Sequence, residues 1–280
     1  MELTVIETST ASTCVSPIDH FRYESDLVQA IISMPGSLLP NDESFVLATE
    51  VGIGSGTVDL VLAVPDCRRF RHRLEANASR GTLSGHEILT LCWLDYDEPK
   101  SLSSLSQQVP LSAREAGLAI DGLLDVGYVE EDRPGEFRRT MVSKPYFTLF
   151  VSLEAKLHKW KDALKQATRN QIFSTASYVA MDARHAQAAI AHRSHFQQLG
   201  IGLAVVCASR TELEIEWPSH ANSLPSQVYR WTAMEILLDR VRSGTATMPK
   251  ESANALRYVS NPGPNAATRL PDIEKTPPKR

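Results

Sequence analysis

Cysteine is scarce in this 280-residue sequence, and the four that occur, Cys14, Cys67, Cys92 and Cys207, lie far apart with no Cys-x-x-Cys pair. That spacing excludes a disulfide framework and a cysteine-rich zinc site, and it suits reduced, partly buried thiols. Apolar runs are short as well: none approaches the ~18 residues of a spanning helix, and the opening Met-Glu-Leu-Thr-Val lacks the basic and apolar segments of a secretory signal. The expectation is a cytoplasmic protein with no membrane partner. A basic excess is also missing. Lys and Arg number 29 against 33 Asp and Glu, a net charge of -4, which excludes a protein that coats nucleic acid by bulk electrostatics and leaves only a local site. No Walker phosphate loop occurs, and Gly52-x-Gly54-x-Gly56 has neither the spacing nor the following helix of a dinucleotide fingerprint. An NTPase and a Rossmann enzyme are thereby disfavoured.

What is present is an ordinary globular composition, 42% hydrophobic and 22% charged, enough for one large or two small cores. Residues 1–19 and the Pro-rich stretch 244–280 read as loose tails. Between them, Phe21 to Met34 has helical spacing, and strands at Phe45–Val51 and Val58–Val64 flank the glycine-rich turn of a hairpin. Gly85–Leu94, Ser101–Val109 and Ser112–Val126 read as three helices, followed by two short extended pieces around Pro134-Gly135. Tyr146–Leu153 returns to strand and runs into Glu154-Ala155-Lys156. A long helix with Trp160, Ala163, Leu164 and Ala167 on one stripe comes next, then a helix over His185–Leu199, a buried strand at Gly200–Cys207, an edge strand at Thr211–Trp217 and an amphipathic helix at Val228–Val241.

The hairpin permits one geometric deduction. With Gly54-Ser55 as a two-residue turn, Ile53 faces Gly56 and Glu50 lies opposite Asp59. Two carboxylates on one sheet face repel unless a positive charge, such as a divalent cation, sits between them. Glu154 and Lys156, two apart in a strand, project to the same face. Carboxylates that hold Mg²⁺, with a lysine beside them to orient water and stabilise developing charge, are what phosphodiester hydrolysis requires.

The helix with Glu24, the hairpin ending in Gly56-Thr-Val-Asp59, the strand ending in Glu154-Ala155-Lys156 and the following helix with Gln166 together resemble the PD-(D/E)XK nuclease superfamily. The resemblance spans most of the chain outside the insert and tails. It implies an α/β fold, a restriction-endonuclease-like mixed central sheet flanked by helices. It further implies that Asp59, Glu154 and the Ala155 carbonyl bind Mg²⁺ or Mn²⁺, that Lys156 is catalytic, that Glu24 or Glu50 is an accessory acid, and that Gln166 belongs to the site. Val58 stands where the family's proline would precede the aspartate, and Asn170 where some RecB-like branches carry tyrosine. Residues 84–143, three helices and a wing with Leu123-Leu-Asp-Val-Gly-Tyr-Val129 at their junction, resemble an inserted winged helix. The nuclease core then comprises 1–83 and 144–243.

Each feature has a plainer rival. Glu-Ala-Lys is also good helix sequence, though the aromatic run before it favours strand. In the winged helix, Arg114, Arg133, Arg138 and Arg139 are the candidate nucleic-acid contacts, yet the third helix surrounds Arg114 with Glu115, Ala116 and Asp121; DNA contact and protein docking stand even. Arg68, Arg69, Arg71, Arg73 and Arg80 form either a solvated loop or a phosphate strip. His185, His192 and His195 read as a surface stripe rather than metal ligands, and Glu212, Glu214 and Glu216 as the solvated face of an edge strand. The leading expectation is a metal-dependent DNA endonuclease of phage defence, a mobile element or repair, with a homodimer or protein partner open. The alternatives are a non-catalytic nucleic-acid-binding or regulatory protein and a protein-interaction adaptor.

Overall fold

The computed structural model describes residues 21–34, 38–39, 44–54, 56–76, 80–209, 212–222 and 225–246. Residues 1–19, Ser55 of the hairpin turn and most of the 244–280 stretch lie outside them. The first helix, α1 (Glu24–Ile32), buries Leu27 and Ile31 and carries Glu24 and Asp26 in its first turn, where carboxylates oppose the exposed N–H groups. Strands β1 (Val46–Ile53) and β2 (Gly56–Pro65) pair antiparallel with Ile53 opposite Gly56 and Val51 opposite Val58, the register that the turn implied. Gly54 supplies the positive φ, +63°, at which the hairpin reverses.

Of the arginine-rich stretch, Arg68, Arg69, Arg71 and Arg73 lie in a helix, α2 (Cys67–Ala76), rather than in a loop, and Arg80 lies beyond it. Arg73 is fully buried in it. The insert follows: α3 (Gly85–Trp93), a short β3 (Lys100–Ser101), α4 (Leu102–Gln108), α5 (Ala113–Asp125), β4 (Val129–Arg133) and β5 (Glu136–Arg139). Serines start its helices. Ser84, Ser101 and Ser112 accept the N–H of Glu87, Ser104 and Glu115 at 3.2, 3.2 and 3.3 Å, satisfying donors that no helical carbonyl reaches. The three strands form their own sheet, in the order β3-β5-β4.

The chain then re-enters the main sheet through β6 (Phe147–Lys156), α6 (Trp160–Asn170), β7 (Ala176–Asp182), α7 (Gln187–Ile190), α8 (Arg193–Leu199), β8 (Gly202–Cys207), β9 (Glu212–Trp217) and α9 (Gln227–Arg242). The result is a mixed α/β fold around a six-stranded sheet, β1-β2-β6-β7-β8-β9, parallel from β6 to β8 and antiparallel at both sides. Glu154-Ala155-Lys156 lies in β6, as the strand reading expected.

Three expectations are revised. The expected helix over His185–Leu199 is two short ones: His192 leaves helical geometry at φ -108°, ψ 28°, and its ring N–H returns to the Ala188 carbonyl at 2.8 Å. The last helix, α9, is not amphipathic, because Trp231, Met234, Glu235, Leu238 and Val241, but also Ala233 and Leu237, are buried. It is packed on several sides. Strand β7, at the centre of the sheet, has no counterpart among the expected elements. On β2, Val61 and Ala63 face one core while Leu60, Leu62 and Val64 face another beneath α1. The first core is continuous with the insert, since Leu91, Ile120 and Tyr128 join Trp231 and Phe150 in it. Among the described residues no helix is long and apolar enough to cross a membrane.

Candidate metal and phosphate site

Register places the central carboxylates. The pair Leu60↔Leu153 closes the β2–β6 ladder and sets Asp59 level with Glu154, near the start of β2 and the end of β6. Asp59 Oδ2 accepts the Ala155 N–H at 2.8 Å and the Lys156 ammonium at 3.3 Å. From α1, Glu24 Oε2 meets the same ammonium at 3.1 Å, and the Ala155 carbonyl accepts from it at 3.1 Å. Burial alone pushes Lys156 down, but Asp59 and Glu24 together raise it above its ordinary value, so it remains a cation.

Glu154 is fully buried. One of its oxygens accepts the Asn170 side-chain N–H at 2.7 Å, and the other is buried with no hydrogen-bond partner. Burial first, then the neighbouring Asp59 charge, push its carboxyl up to about 7, against the opposite pull of Asn170, Lys156 and Arg169. Gln166, one helical turn before Asn170 on α6, likewise holds a buried side-chain oxygen without a partner. Sequence reasoning noted Asn170 only as a departure from the family's tyrosine and passed over Arg169. Asn170 bears on the site through its bond to Glu154, and the Arg169 guanidinium packs against Gly56 at the hairpin tip, 3.7 Å from where a side chain would begin. The available signal was position: Asn170 is four residues after Gln166.

Glu50 is not drawn into this cluster. It is exposed at φ 50°, with its own carbonyl accepting from Arg240 at 2.7 Å and the Thr49 carbonyl from the same guanidinium. That grip on two successive carbonyls accompanies a backbone twist which breaks the strand alternation, so Glu50 stands at the expected register position without pairing with Asp59.

The four candidate arginines of the insert are spread out. Arg114 is exposed on α5, and Arg133 is exposed with Asp132 3.9 Å away. Arg138 is held by Glu130 at 2.8 Å and Asp132 at 3.2 Å. Arg139 donates to the Ser143 hydroxyl and carbonyl at 3.1 and 2.7 Å and lies over the Tyr96 ring. In the earlier arginine run, Arg69 pairs with Asp66, Arg73 with Glu235 and Arg80 with Glu87. His192 and His195 adjoin one another, while His185 packs against His158.

The donor set suits a hard divalent cation of few protein ligands. Asp59 and Glu154 oppose each other's charge, an orphaned Glu154 oxygen is buried between strand and helix, and the Ala155 carbonyl lies beside them. Among the described residues no group of three or more His, Cys, Asp or Glu side chains forms a metal-binding cluster, so such an ion would complete its shell with water. No family model, no curated protein and no solved structure matches this chain.

Proposed function

We propose that the protein is a metal-dependent DNA endonuclease, with a restriction-endonuclease-like PD-(D/E)XK core split by a winged-helix insert. The observation that carries this reading is the meeting of Asp59 and Glu24 around the Lys156 ammonium, beside a buried Glu154 of which one oxygen has no hydrogen-bond partner. Asp59, Glu154 and the Ala155 carbonyl would hold Mg²⁺ or Mn²⁺. When bound, such a cation polarises the scissile phosphate and acidifies a water. Lys156, kept charged by Glu24 and Asp59, stabilises the negative charge that grows on phosphate and is not a proton acceptor. Asn170 fixes the Glu154 carboxylate from α6 and leaves its second oxygen for the ion. Gln166 offers a further buried oxygen on that helix face.

The insert is assigned to protein docking rather than base reading. Its α5 exposes Glu115, Leu118, Asp121 and Asp125 beside Arg114, and Arg138 and Arg139 are engaged internally; an acidic face repels phosphate.

The test is cleavage of plasmid and single-stranded DNA in Mg²⁺, Mn²⁺ or EDTA, with Asp59→Ala and Lys156→Ala run alongside. Cutting that needs metal and falls at least 100-fold in both variants is the expected result. A folded wild type that cuts neither substrate in any metal overturns the reading.

A further inference from the structure

The outer side of α6 carries a feature that this chemistry does not use. Lys161, Lys165 and Arg169 recur every four residues, all three exposed, so they form one cationic ridge along the helix. Beside the ridge runs a groove of about 670 Å³ between α6 and α8, lined by Trp160, Leu164, Leu199, His192 and His195 together with the three cations and Thr168. No lining residue is acidic. Its aromatic wall is layered: His192 lies 4.6 Å from Trp160, which stacks on Phe196, and His195 follows His192 at 5.7 Å. His192 donates its Nδ1–H to Ala188, which holds the exposed ring in place.

We infer that this ridge and groove bind a single-stranded segment of DNA and lead it to the site at Asp59 and Glu154. The inference rests on the nuclease reading and deepens it by naming the substrate form. Cations four residues apart on a helix are separated by ~6 Å along its axis, close to the step between successive phosphates of an extended strand. An apolar, aromatic-walled groove next to such a ridge is useful to an unpaired base, because bases in a duplex are already stacked and their faces are unavailable. The ridge also has a direction. Arg169, its last cation, packs at the hairpin tip, and the next residue, Asn170, holds Glu154. A strand whose phosphates follow Lys161, Lys165 and Arg169 therefore arrives at the carboxylates.

The experiment is fluorescence anisotropy of the full chain in EDTA with labelled oligo-dT, a blunt duplex of equal length and oligo-rU, over a salt series. Oligo-dT is expected to bind at least 10-fold more tightly than the duplex. Lys161→Glu with Lys165→Glu, both on exposed positions, should weaken it at least 10-fold and flatten the log-log salt slope by about 1.4, two phosphate contacts on a single strand. His192→Ala with His195→Ala should weaken it about 5-fold or more through lost stacking. Duplex binding equal to oligo-dT, or no response to either double variant, overturns the inference, and tighter binding of oligo-rU overturns its assignment to DNA. The two readings fail separately. Asp59-dependent cutting that ignores the α6 variants rejects this inference alone, whereas strand binding through α6 without any cutting rejects the nuclease alone.

Discussion

Glu154 is the residue at which stability and chemistry conflict. A carboxyl near 7 in the folded chain and near its ordinary 4.5 in the unfolded one binds more protons when folded. Its contribution therefore favours the fold at low pH and is lost as pH rises from about 4.5 through about 7, a change of about 3 kcal/mol. Thermal unfolding in EDTA should show the wild type losing more stability than Glu154→Gln over that window. Added Mg²⁺ should restore the wild type more than the variant, since an ion bound only by the folded state stabilises it. An unchanged pH profile in Glu154→Gln would contradict this assignment. On the proposed nuclease reading, Asn170 is a positioning residue that acts through its hydrogen bond to Glu154. Removing its N–H in Asn170→Ala leaves Glu154 with no hydrogen-bond donor and should raise the lower limb of the pH-rate profile. A purely structural role would lower activity without moving that limb.

At the scale of elements, helices with local start signals were legible and those fixed by distant partners were not. Ser84 and Ser112, each followed three residues later by glutamate, announce α3 and α5, and both close as capping boxes. Ser112→Ala is accordingly expected to cost about 1 kcal/mol, read as a lower midpoint in urea with an unchanged slope. The motif Glu154-Ala155-Lys156 was legible as strand because six of the ten residues of β6 are apolar and no glycine or proline interrupts them. By contrast, α2 reads as a surface run of arginines, and what buries Arg73 is Glu235, 162 positions away. Strand β7, Ala176-Ser-Tyr-Val-Ala-Met-Asp182, is buried along nearly its whole length between β6 and β8, so it shows none of the alternation by which a half-exposed strand is recognised. The site divides in the same way. Asp59, Glu154 and Lys156 stand out as charges inside apolar strands, whereas the parts played by Asn170 and Arg169 depend on α6 packing against β6, which brings one to Glu154 and the other to the hairpin tip. Glu50 was misjudged because register alone does not report the turn of its backbone.

At the scale of the molecule, a buried polar knot ties α2 and α9 to the two segments that flank the insert, at Leu83 and Tyr146. Arg73 on α2 donates to both oxygens of Glu235 on α9, at 3.1 and 2.6 Å. The same carboxylate accepts the Tyr146 hydroxyl at 3.0 Å and the Leu83 N–H, just before α3, at 2.7 Å. Both charges are almost wholly out of water, a state tolerated only because each is paired and hydrogen-bonded. Around them one apolar cluster runs from the β1–β2 hairpin through α9 into the insert. Bodies that share a core and a buried ion pair should unfold together rather than in sequence. Urea unfolding followed by tryptophan fluorescence, with Trp93 in the insert and Trp231 in α9 as reporters, should coincide with far-UV circular dichroism in one transition. Arg73→Met leaves the Glu235 carboxylate buried without its cation, for which a loss of about 3–5 kcal/mol is expected. Replacing both partners by apolar residues should cost less than the single change, because no charge is then stranded. Two separated transitions in the wild type would show instead that the insert is an independent body, and a double variant as unstable as the sum of its singles would show that Arg73 and Glu235 are not coupled.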